Sequence, residues 1–193
     1  DGSLQPSVWR NPPSAWEFPV NVLRLYKLMP RRVRGKLLLG SHWDHDERRD
    51  VKFLSGAALL LSKEAFQVTG GFDESFSMYG EDCDLCYRIA RHNLRLIFTP
   101  KAEVIHHGGK SSFTRWEQVE KATVQTTSFL YFQQKHLSPV ALVANCVSAI
   151  ISFNIERLWR KIRSRPTTDL DVQISVYKSV LAKQIFGSAK HSE

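Results

Sequence analysis

The sequence predicts an α/β front part that is followed by an all-helical back part. Two observations carry this prediction. Short strand-like and helical patterns alternate up to about residue 113, and long helical patterns cover almost all of the chain beyond it. The chain has 193 residues, of which 42% are hydrophobic, and this length suits one domain with an appendage. We therefore expect an α/β domain over residues 1–113 and a helical appendage over residues 114–193.

The front part begins with an irregular stretch and a buried strand. Residues 1–50 are broken by five prolines, with one short helix predicted at Val20–Leu28. The run Val51–Leu61, VKFLSGAALLL, is continuously apolar with a Ser-Gly pair inside it. Such a run is typical of a strand that is buried on both faces.

Two helices and two further strands are expected next. Ser62 can cap a short helix that Gly70 ends, and a second helix is predicted from about Gly80 to His92. The apolar pieces LRLIFT, residues 94–99, and AEVIH, residues 102–106, predict two strands that a proline separates.

The back part consists of three predicted helices, at residues 114–136, 139–163 and 169–187. Residues 139–153, PVALVANCVSAIISF, carry no charge, and a basic run follows them directly: Arg157, Arg160, Lys161, Arg163 and Arg165. An apolar helix with a basic flank is typical of an anchor in the plane of an anionic leaflet, so we expect a peripheral membrane contact. A membrane span and a buried bundle helix with a solvated basic end stay open as alternatives.

The charge balance restricts the partners only loosely. A formal net charge of +8 permits nucleic acid, anionic lipid or phosphate-bearing ligands. The sequence has no recognised nucleic-acid module, and its basic residues flank an apolar helix instead of aromatic readers, so we expect no nucleic-acid partner. Three cysteines give no disulfide framework, which favours a reducing compartment.

Carboxylates are concentrated in the stretch FDESFSMYGEDCDL, which begins at Phe72. On the predicted helix, Asp82 shares the i, i+3, i+4, i+7 stripe with Leu85, Cys86 and Ile89. These three residues must face the core, so Asp82 lies at the edge of the hydrophobic interior. A carboxylate that is fixed in direction and only partly solvated suits a general base.

The neighbouring residues have simpler interpretations. Asp84 is placed to pair with Arg88 four positions on, as an ordinary contact on the helix surface. Glu81 can be an acid that favours the helix N-terminus, and helix capping is an alternative for all three carboxylates. Cys83 and Cys86 have the spacing of a redox pair, but their place on a helix, with Cys86 toward the core, disfavours that role.

A pair of histidines ends the last predicted strand. His106 and His107 are followed by the loop GGKSS, which contains Lys110. Neutral imidazole binds divalent metals, and a strand end that opens into a glycine loop leaves room for phosphate oxygens near the ion. The loop is not a Walker loop, because Val104 stands where the first glycine is required. We interpret the Asp-His-Asp string at residues 44–46 as a solvated loop, not a metal site.

These segments occur together in the order and spacing of a known family. FLSGAALLL, GGFDESFSMYGEDCDLCYRIA and PKAEVIHHGGKSS resemble the C-terminal half of the catalytic domain of family 2 glycosyltransferases, in the bacterial rhamnosyltransferase-like branch. The resemblance covers about residues 1–136. It implies the GT-A fold, a Rossmann-like sheet that binds a nucleotide sugar. Residues 1–113 would then be the C-terminal portion of this α/β domain, and residues 114–193 an all-helical, membrane-proximal appendage.

The resemblance also implies a catalytic base and a metal ligand. In the family, an acid pair opens the helix and carries the base in its second member. Here the pair is Glu81 and Asp82, so Asp82 would take the proton from the acceptor hydroxyl as it attacks the anomeric carbon with inversion. The histidine that closes the later strand is a ligand of the Mg²⁺ or Mn²⁺ that holds the diphosphate. Its position matches His106 better than His107.

Four residues form the candidate substrate-binding set. Ser55 and Gly56 look like the small-residue loop that lies near the sugar and the acceptor in the family. Glu81, the first member of the acid pair, and Lys110, in the glycine loop, complete the set.

The function that the resemblance implies is inverting, metal-dependent sugar transfer in bacterial surface polysaccharide synthesis. A nucleotide-sugar donor would give its sugar, rhamnose by branch, to a hydroxyl of a glycan or a lipid-linked acceptor at the cytoplasmic face of the inner membrane. The donor-binding half of the family lies upstream of these segments, so we expect the chain to be a fragment. The alternative is a truncated binding module without catalysis.

Overall fold

The computed structural model describes residues 43–107 and 118–186, together with short pieces at 8–9, 20, 25–30 and 33. The chain divides into two compact units. The first unit includes the described residues 43–107, and the second includes residues 118–186. Each unit has a buried hydrophobic core of its own.

The described residues of the first unit form four short strands: β1 (Val8–Trp9), β2 (Arg49–Val51), β3 (Phe53–Leu54) and β4 (Leu96–Phe98). Strand β1 pairs with β3, and β2 pairs with β4, and both pairs are antiparallel. No parallel pair occurs among the described residues. The parallel, Rossmann-like sheet that the resemblance implies is therefore not seen in this part of the chain.

The predicted strand Val51–Leu61 is too long, because the chain leaves the sheet after Leu54. The carbonyl of Ser55 accepts a hydrogen bond from the N–H of Ala58 at 3.5 Å, which closes a turn. The side chain of Leu60, in the second half of the run, is 99% exposed. Apolar composition alone predicted burial on both faces, and the Ser-Gly pair inside the run is where the prediction fails.

Helix α1 (Lys63–Thr69) begins and ends where its capping residues predict. The Ser62 hydroxyl accepts a hydrogen bond from the N–H of Ala65 at 3.1 Å. Gly70 ends the helix in the left-handed conformation, with φ 70°.

Helix α2 (Glu81–Arg91) lies within one residue of its predicted bounds. Its buried residues include the predicted stripe Leu85, Cys86 and Ile89. These side chains pack in one core with Val51 of β2, Phe53 of β3 and Leu96 of β4. Asp82 continues the stripe at the first turn and is partly exposed, as the periodicity predicts.

The predicted strand AEVIH is not formed. Residues 102–106 have no regular structure, and the whole stretch 101–107 is exposed, with Ile105 at 88%. No described strand lies alongside to pair its backbone groups. Strand propensity depends on such cross-strand packing, so the apolar composition was not sufficient.

The described residues of the second unit form three α-helices, α3 (Gln118–His136), α4 (Pro139–Ile162) and α5 (Thr168–Phe186), and a short 3₁₀ helix at Leu25–Leu28, within the helix predicted at Val20–Leu28. Helix α4 starts at a capping Ser138, whose hydroxyl accepts a hydrogen bond from the N–H of Ala141 at 3.3 Å, and Pro139 occupies the first turn. The core includes Leu130 of α3, Cys146 of α4 and Tyr177 of α5.

Candidate functional site

Two left-handed residues turn the chain into α2. Tyr79 and Gly80 have φ values of 67° and 87°. Glycine adopts this conformation freely, whereas a left-handed tyrosine costs about 1–2 kcal/mol. Gly80 offers no side-chain cap, and the first turn of α2 contains three acidic residues, Glu81, Asp82 and Asp84, which complement the positive end of the helix.

The Asp82 carboxylate is held by a backbone N–H group at each oxygen. Its Oδ2 atom accepts from Gly56 at 3.0 Å, and its Oδ1 atom accepts from Cys83 at 2.9 Å. The first bond joins α2 to the turn after β3, 26 residues earlier in the chain. Each carboxylate oxygen can accept a further hydrogen bond. Asp82 is thus fixed in direction, partly exposed and able to meet a hydroxyl group.

The turn after β3 leaves the Asp82 carboxylate uncovered because position 56 is a glycine. A Cβ atom at Gly56 would lie 3.5 Å from the Cβ and 3.6 Å from the Oδ2 atom of Asp82, which are ordinary contact distances. An alanine would therefore fit, but its methyl group would lie against the carboxylate. Ser55 begins the same turn, and its hydroxyl accepts a hydrogen bond from the N–H of Ala57 at 3.4 Å.

Glu81 directly precedes Asp82 at the start of α2. Its Oε2 atom is buried, and no hydrogen bond to it is found among the described residues. Burial raises the pKa of Glu81, its own backbone hydrogen bond lowers it, and the charge of Asp82 raises it again, with a net increase. An acceptor atom that is buried without a donor costs free energy, so this oxygen is suited to receive a donor from a ligand.

Asp84 and Arg88 form the predicted ion pair, but the pair is buried and not on the helix surface. The Asp84 side chain is 0% exposed, and its Oδ2 atom accepts from the Nε of Arg88 at 2.6 Å. The same guanidinium group donates to the carbonyls of Thr69 at 2.5 Å and Gly71 at 2.7 Å. Sequence spacing found the pair. Its burial depends on the end of α1, which spacing within α2 cannot reveal.

The cysteines of α2 support the fold and are not set up for redox chemistry. Burial raises the pKa of Cys83 and raises that of Cys86 to about 11. The Cys86 sulfur accepts from the N–H of Leu54 at 3.4 Å, which ties α2 to the end of β3. The apolar stripe of α2 predicts Cys86 in the core but gives no sign of this contact beside the Gly56 turn.

The predicted metal site is not completed by the described residues. His106 and His107 are both exposed, and Lys110 lies outside the described residues. In the ranges 43–107 and 118–186, no group of three or more His, Cys, Asp or Glu side chains is placed to hold a metal ion. The donors present here therefore do not fit a complete Mg²⁺ or Mn²⁺ centre.

The Asp-His-Asp string is solvated only in part. Asp44 and Asp46 are exposed, but His45 is buried at 5% exposure. Its Nδ1 atom donates to the carbonyl of Trp43 at 2.7 Å, and its ring stacks on Trp43 at 4.5 Å and meets the edge of Phe98 at 5.3 Å. The interpretation as a solvated loop was wrong for the imidazole, which aromatic packing turns inward.

Comparison with known proteins identifies the family. Residues 24–159, more than half of the chain, match the model of glycosyl transferase family group 2. This chain belongs to that family. No solved structure matches it.

Part of this glycosyl transferase family chain is similar to known rhamnosyltransferases. It is 35% identical to the N-acetylglucosaminyl-diphospho-decaprenol L-rhamnosyltransferase of Mycobacterium tuberculosis over an alignment 99 residues long that covers 44% of this chain and 32% of that protein. It is 34% identical to the rhamnosyltransferase WbbL of Escherichia coli over an alignment 68 residues long that covers 34% of this chain and 26% of that protein. The chain thus spans about a third or less of these relatives.

Membership of the glycosyl transferase family implies the GT-A fold. The described residues of this family member contribute two antiparallel strand pairs and helices α1 and α2 to it. The matched range continues through α3 and into α4, past the predicted domain boundary at residue 113. That boundary stays a prediction.

Proposed function

We propose that this chain supplies the acceptor-activating part of an inverting glycosyltransferase site, in which Asp82 is the catalytic base. The observation that carries the proposal is the Asp82 carboxylate, held by the N–H groups of Gly56 and Cys83 at a turn that leaves it uncovered. The reaction is transfer of a sugar from a nucleotide-sugar donor to a hydroxyl of a glycan or lipid-linked acceptor in bacterial surface polysaccharide synthesis. The activities named for these relatives favour rhamnose as the sugar and a polyprenyl diphosphate sugar as the acceptor.

Asp82 would act on the acceptor hydroxyl. As the hydroxyl oxygen forms a bond to the anomeric carbon, the bond from that carbon to the diphosphate oxygen breaks, and the configuration inverts. The proton of the hydroxyl passes to a carboxylate oxygen of Asp82. Both hydrogen bonds to the carboxylate come from main-chain N–H groups. These groups fix the carboxylate, and they do not give up a proton to it in place of the acceptor hydroxyl.

Glu81 and Ser55 would position the substrate next to this base. The buried Oε2 atom of Glu81 has no donor among the described residues, and a sugar hydroxyl would satisfy it. The Ser55 hydroxyl accepts one hydrogen bond within its turn and can still donate its own proton to a substrate oxygen. Lys110 is proposed as a phosphate-binding cation on chemistry alone.

Metal dependence is part of the proposal for the whole enzyme. A Mg²⁺ or Mn²⁺ ion, when bound, neutralises charge on the departing diphosphate. His106 is the candidate ligand in this chain. The remaining ligands would have to come from outside the described residues, since these contain no group of three metal-binding side chains.

The test is the Asp82→Asn substitution in the intact enzyme. We expect turnover to fall by about 10²–10⁴-fold, the usual contribution of a general base, while calorimetry shows nucleotide-sugar binding within a factor of two. Asp73→Asn is the matched control. Asp73 belongs to the same acidic stretch, and its Oδ1 atom accepts a hydrogen bond from the N–H of Ser75 at 2.9 Å in a local turn. Asp73→Asn should leave turnover unchanged.

Two outcomes would overturn the proposal. Turnover of Asp82→Asn within twofold of the wild type would show that the base lies elsewhere. An intact wild-type protein that binds nucleotide sugar but never transfers it would favour the binding-module alternative.

A further inference from the structure

Helix α4 exposes an apolar stripe along one side. Its members recur at intervals of four, three, four, seven and four residues, so they lie on one line of the helix surface. Five of the six are large hydrophobic side chains, with exposures from 40% at Val147 to 80% at Val140. The stripe consists of Val140, Ala144, Val147, Ile151, Leu158 and Ile162.

The opposite side of α4 is occupied by the helical core. Leu142, Cys146 and Ala149 are at most 3% exposed and pack with Leu130 of α3 and Tyr177 of α5. Two polar residues of α4, at positions 145 and 152, are also buried on this side. The stripe is therefore not the core face of the bundle, and it is accessible while the bundle stays intact.

One polar residue interrupts the stripe, and its polarity is partly satisfied within the helix. Asn154 lies between Ile151 and Leu158 on the same line. Its side-chain amide donates to the carbonyl of Ile150 at 2.7 Å. This bond reduces the cost of placing the amide at the boundary of an apolar medium.

The basic end of α4 is only partly neutralised. Arg157 pairs with Asp171 at 2.7 Å, and Arg160 pairs with Glu156 and Asp169, so these two cations are not available. The other three basic residues of this segment are exposed and form no ion pair among the described residues: Lys161, Arg163 and Arg165. The run of five basic residues at this end of α4 therefore leaves three available cations.

An exposed tryptophan adjoins these cations. The Arg163 guanidinium lies 4.7 Å from the ring centre of Trp159, and the Trp159 side chain is 53% exposed. Tryptophan favours the boundary between lipid chains and headgroups, because its ring is apolar and its N–H is polar. The same end of α4 therefore presents apolar, aromatic and cationic groups together.

We propose that α4 lies in the plane of a membrane, with its stripe inserted between the headgroups of an anionic leaflet. The three available cations at the end of the stripe identify the partner, because lipid phosphates complement them and a neutral apolar protein surface does not. The helix is 24 residues long and contains an 18-residue stretch with a mean hydropathy of 1.5, so it could cross a membrane by length and composition. Crossing would require Cys146 and Ala149 to leave the core, whereas in-plane binding uses only the face that is already exposed.

The experiment is cosedimentation of the intact protein with vesicles. Binding should be strong to phosphatidylcholine vesicles that contain about one third phosphatidylglycerol, weak to phosphatidylcholine alone, and reduced by salt. Ile151→Glu should weaken binding at least tenfold, because it removes an apolar side chain from the interface. Leu60→Glu is the matched control, since Leu60 is 99% exposed and lies in the other unit, and it should bind like the wild type.

A second variant separates the charge from the apolar stripe. Neutralising Lys161, Arg163 and Arg165 together to glutamine should weaken binding to the anionic vesicles by about a hundredfold, at roughly fivefold per cation, and leave binding to neutral vesicles unchanged. Circular dichroism should show wild-type helicity for Ile151→Glu and for the triple glutamine variant, because every substituted side chain is exposed.

Three results would overturn the proposal. Equal binding of wild type and Ile151→Glu would show that the stripe does not contact lipid. Resistance of the bound protein to extraction at alkaline pH would show a membrane span. A mass in solution that is twice the chain mass, and halves in Ile151→Glu, would show that a second copy covers the stripe.

Discussion

Replacing Asp84 by asparagine should destabilise the first unit by about 3 kcal/mol. Removing one partner of a buried ion pair costs about 3–5 kcal/mol, because the other charge is left uncompensated. We expect the lower end of this range, because the Arg88 side chain is 19% exposed and its charge would still be stabilised by the hydrogen bonds to the carbonyls of Thr69 and Gly71. A change of 3 kcal/mol raises the population of the unfolded unit about 150-fold.

Hydrogen exchange measured by mass spectrometry is the suitable assay, because the two units need not unfold together. The protection factors of peptides that cover α2 should fall about 150-fold, whereas those of peptides from α4, in the other unit, should stay the same. Asp50→Asn is the matched control. Asp50 forms a bidentate pair with Arg95 at 2.8 Å, but the two side chains are 62% and 69% exposed. Its loss should have no measurable effect. Unchanged protection of α2 in Asp84→Asn would refute the argument from burial.

Three further predictions concern single side chains. Burial raises the pKa of Glu81, so the folded protein loses stability as the pH rises and this carboxyl group ionises. The melting temperature of Glu81→Gln, measured by calorimetry, should therefore be roughly 1–2 °C above that of the wild type at pH 8, and the two should be equal near pH 4. Burial raises the pKa of Cys86 to about 11, so only a small fraction of this thiol is ionised at pH 8. Iodoacetamide reacts with the thiolate and should therefore label Cys86 at least about a hundredfold more slowly than a free thiol, a rate that mass spectrometry of the labelled peptide measures. His106→Ala should raise the Mn²⁺ concentration for half-maximal activity of the intact enzyme by roughly tenfold or more, and an unchanged titration would exclude His106 as a ligand.

Local patterns predicted the helical elements well. Ser62 and Gly70 marked the ends of α1, because a cap is a contact between residues three or four positions apart. The stripe Leu85, Cys86 and Ile89 predicted the buried face of α2 for the same reason. The candidate base Asp82 followed from that stripe together with the family resemblance, and its role stays a prediction.

Contacts between distant segments could not be predicted in this way. The hydrogen bond from Gly56 to Asp82 joins residues 26 positions apart, and only the resemblance suggested that the two lie near one substrate. The burial of Asp84 depends on carbonyls at the end of α1. The end of β3 at Leu54 and the missing strand at 102–106 both depend on which backbone partners are present, and apolar composition carries no information about that.

The donor that anchors Asp82 Oδ2 is an amide of the main chain. Every amino acid except proline carries this amide, so replacing residue 56 by almost any other type leaves the donor in place. Substitutions at residue 56 would therefore measure the effect of a larger side chain beside the carboxylate, but not the contribution of the hydrogen bond from the amide to Asp82. Only a change of the peptide linkage, such as an ester in place of the amide between Ser55 and residue 56, would expose how much the orientation of this one oxygen matters.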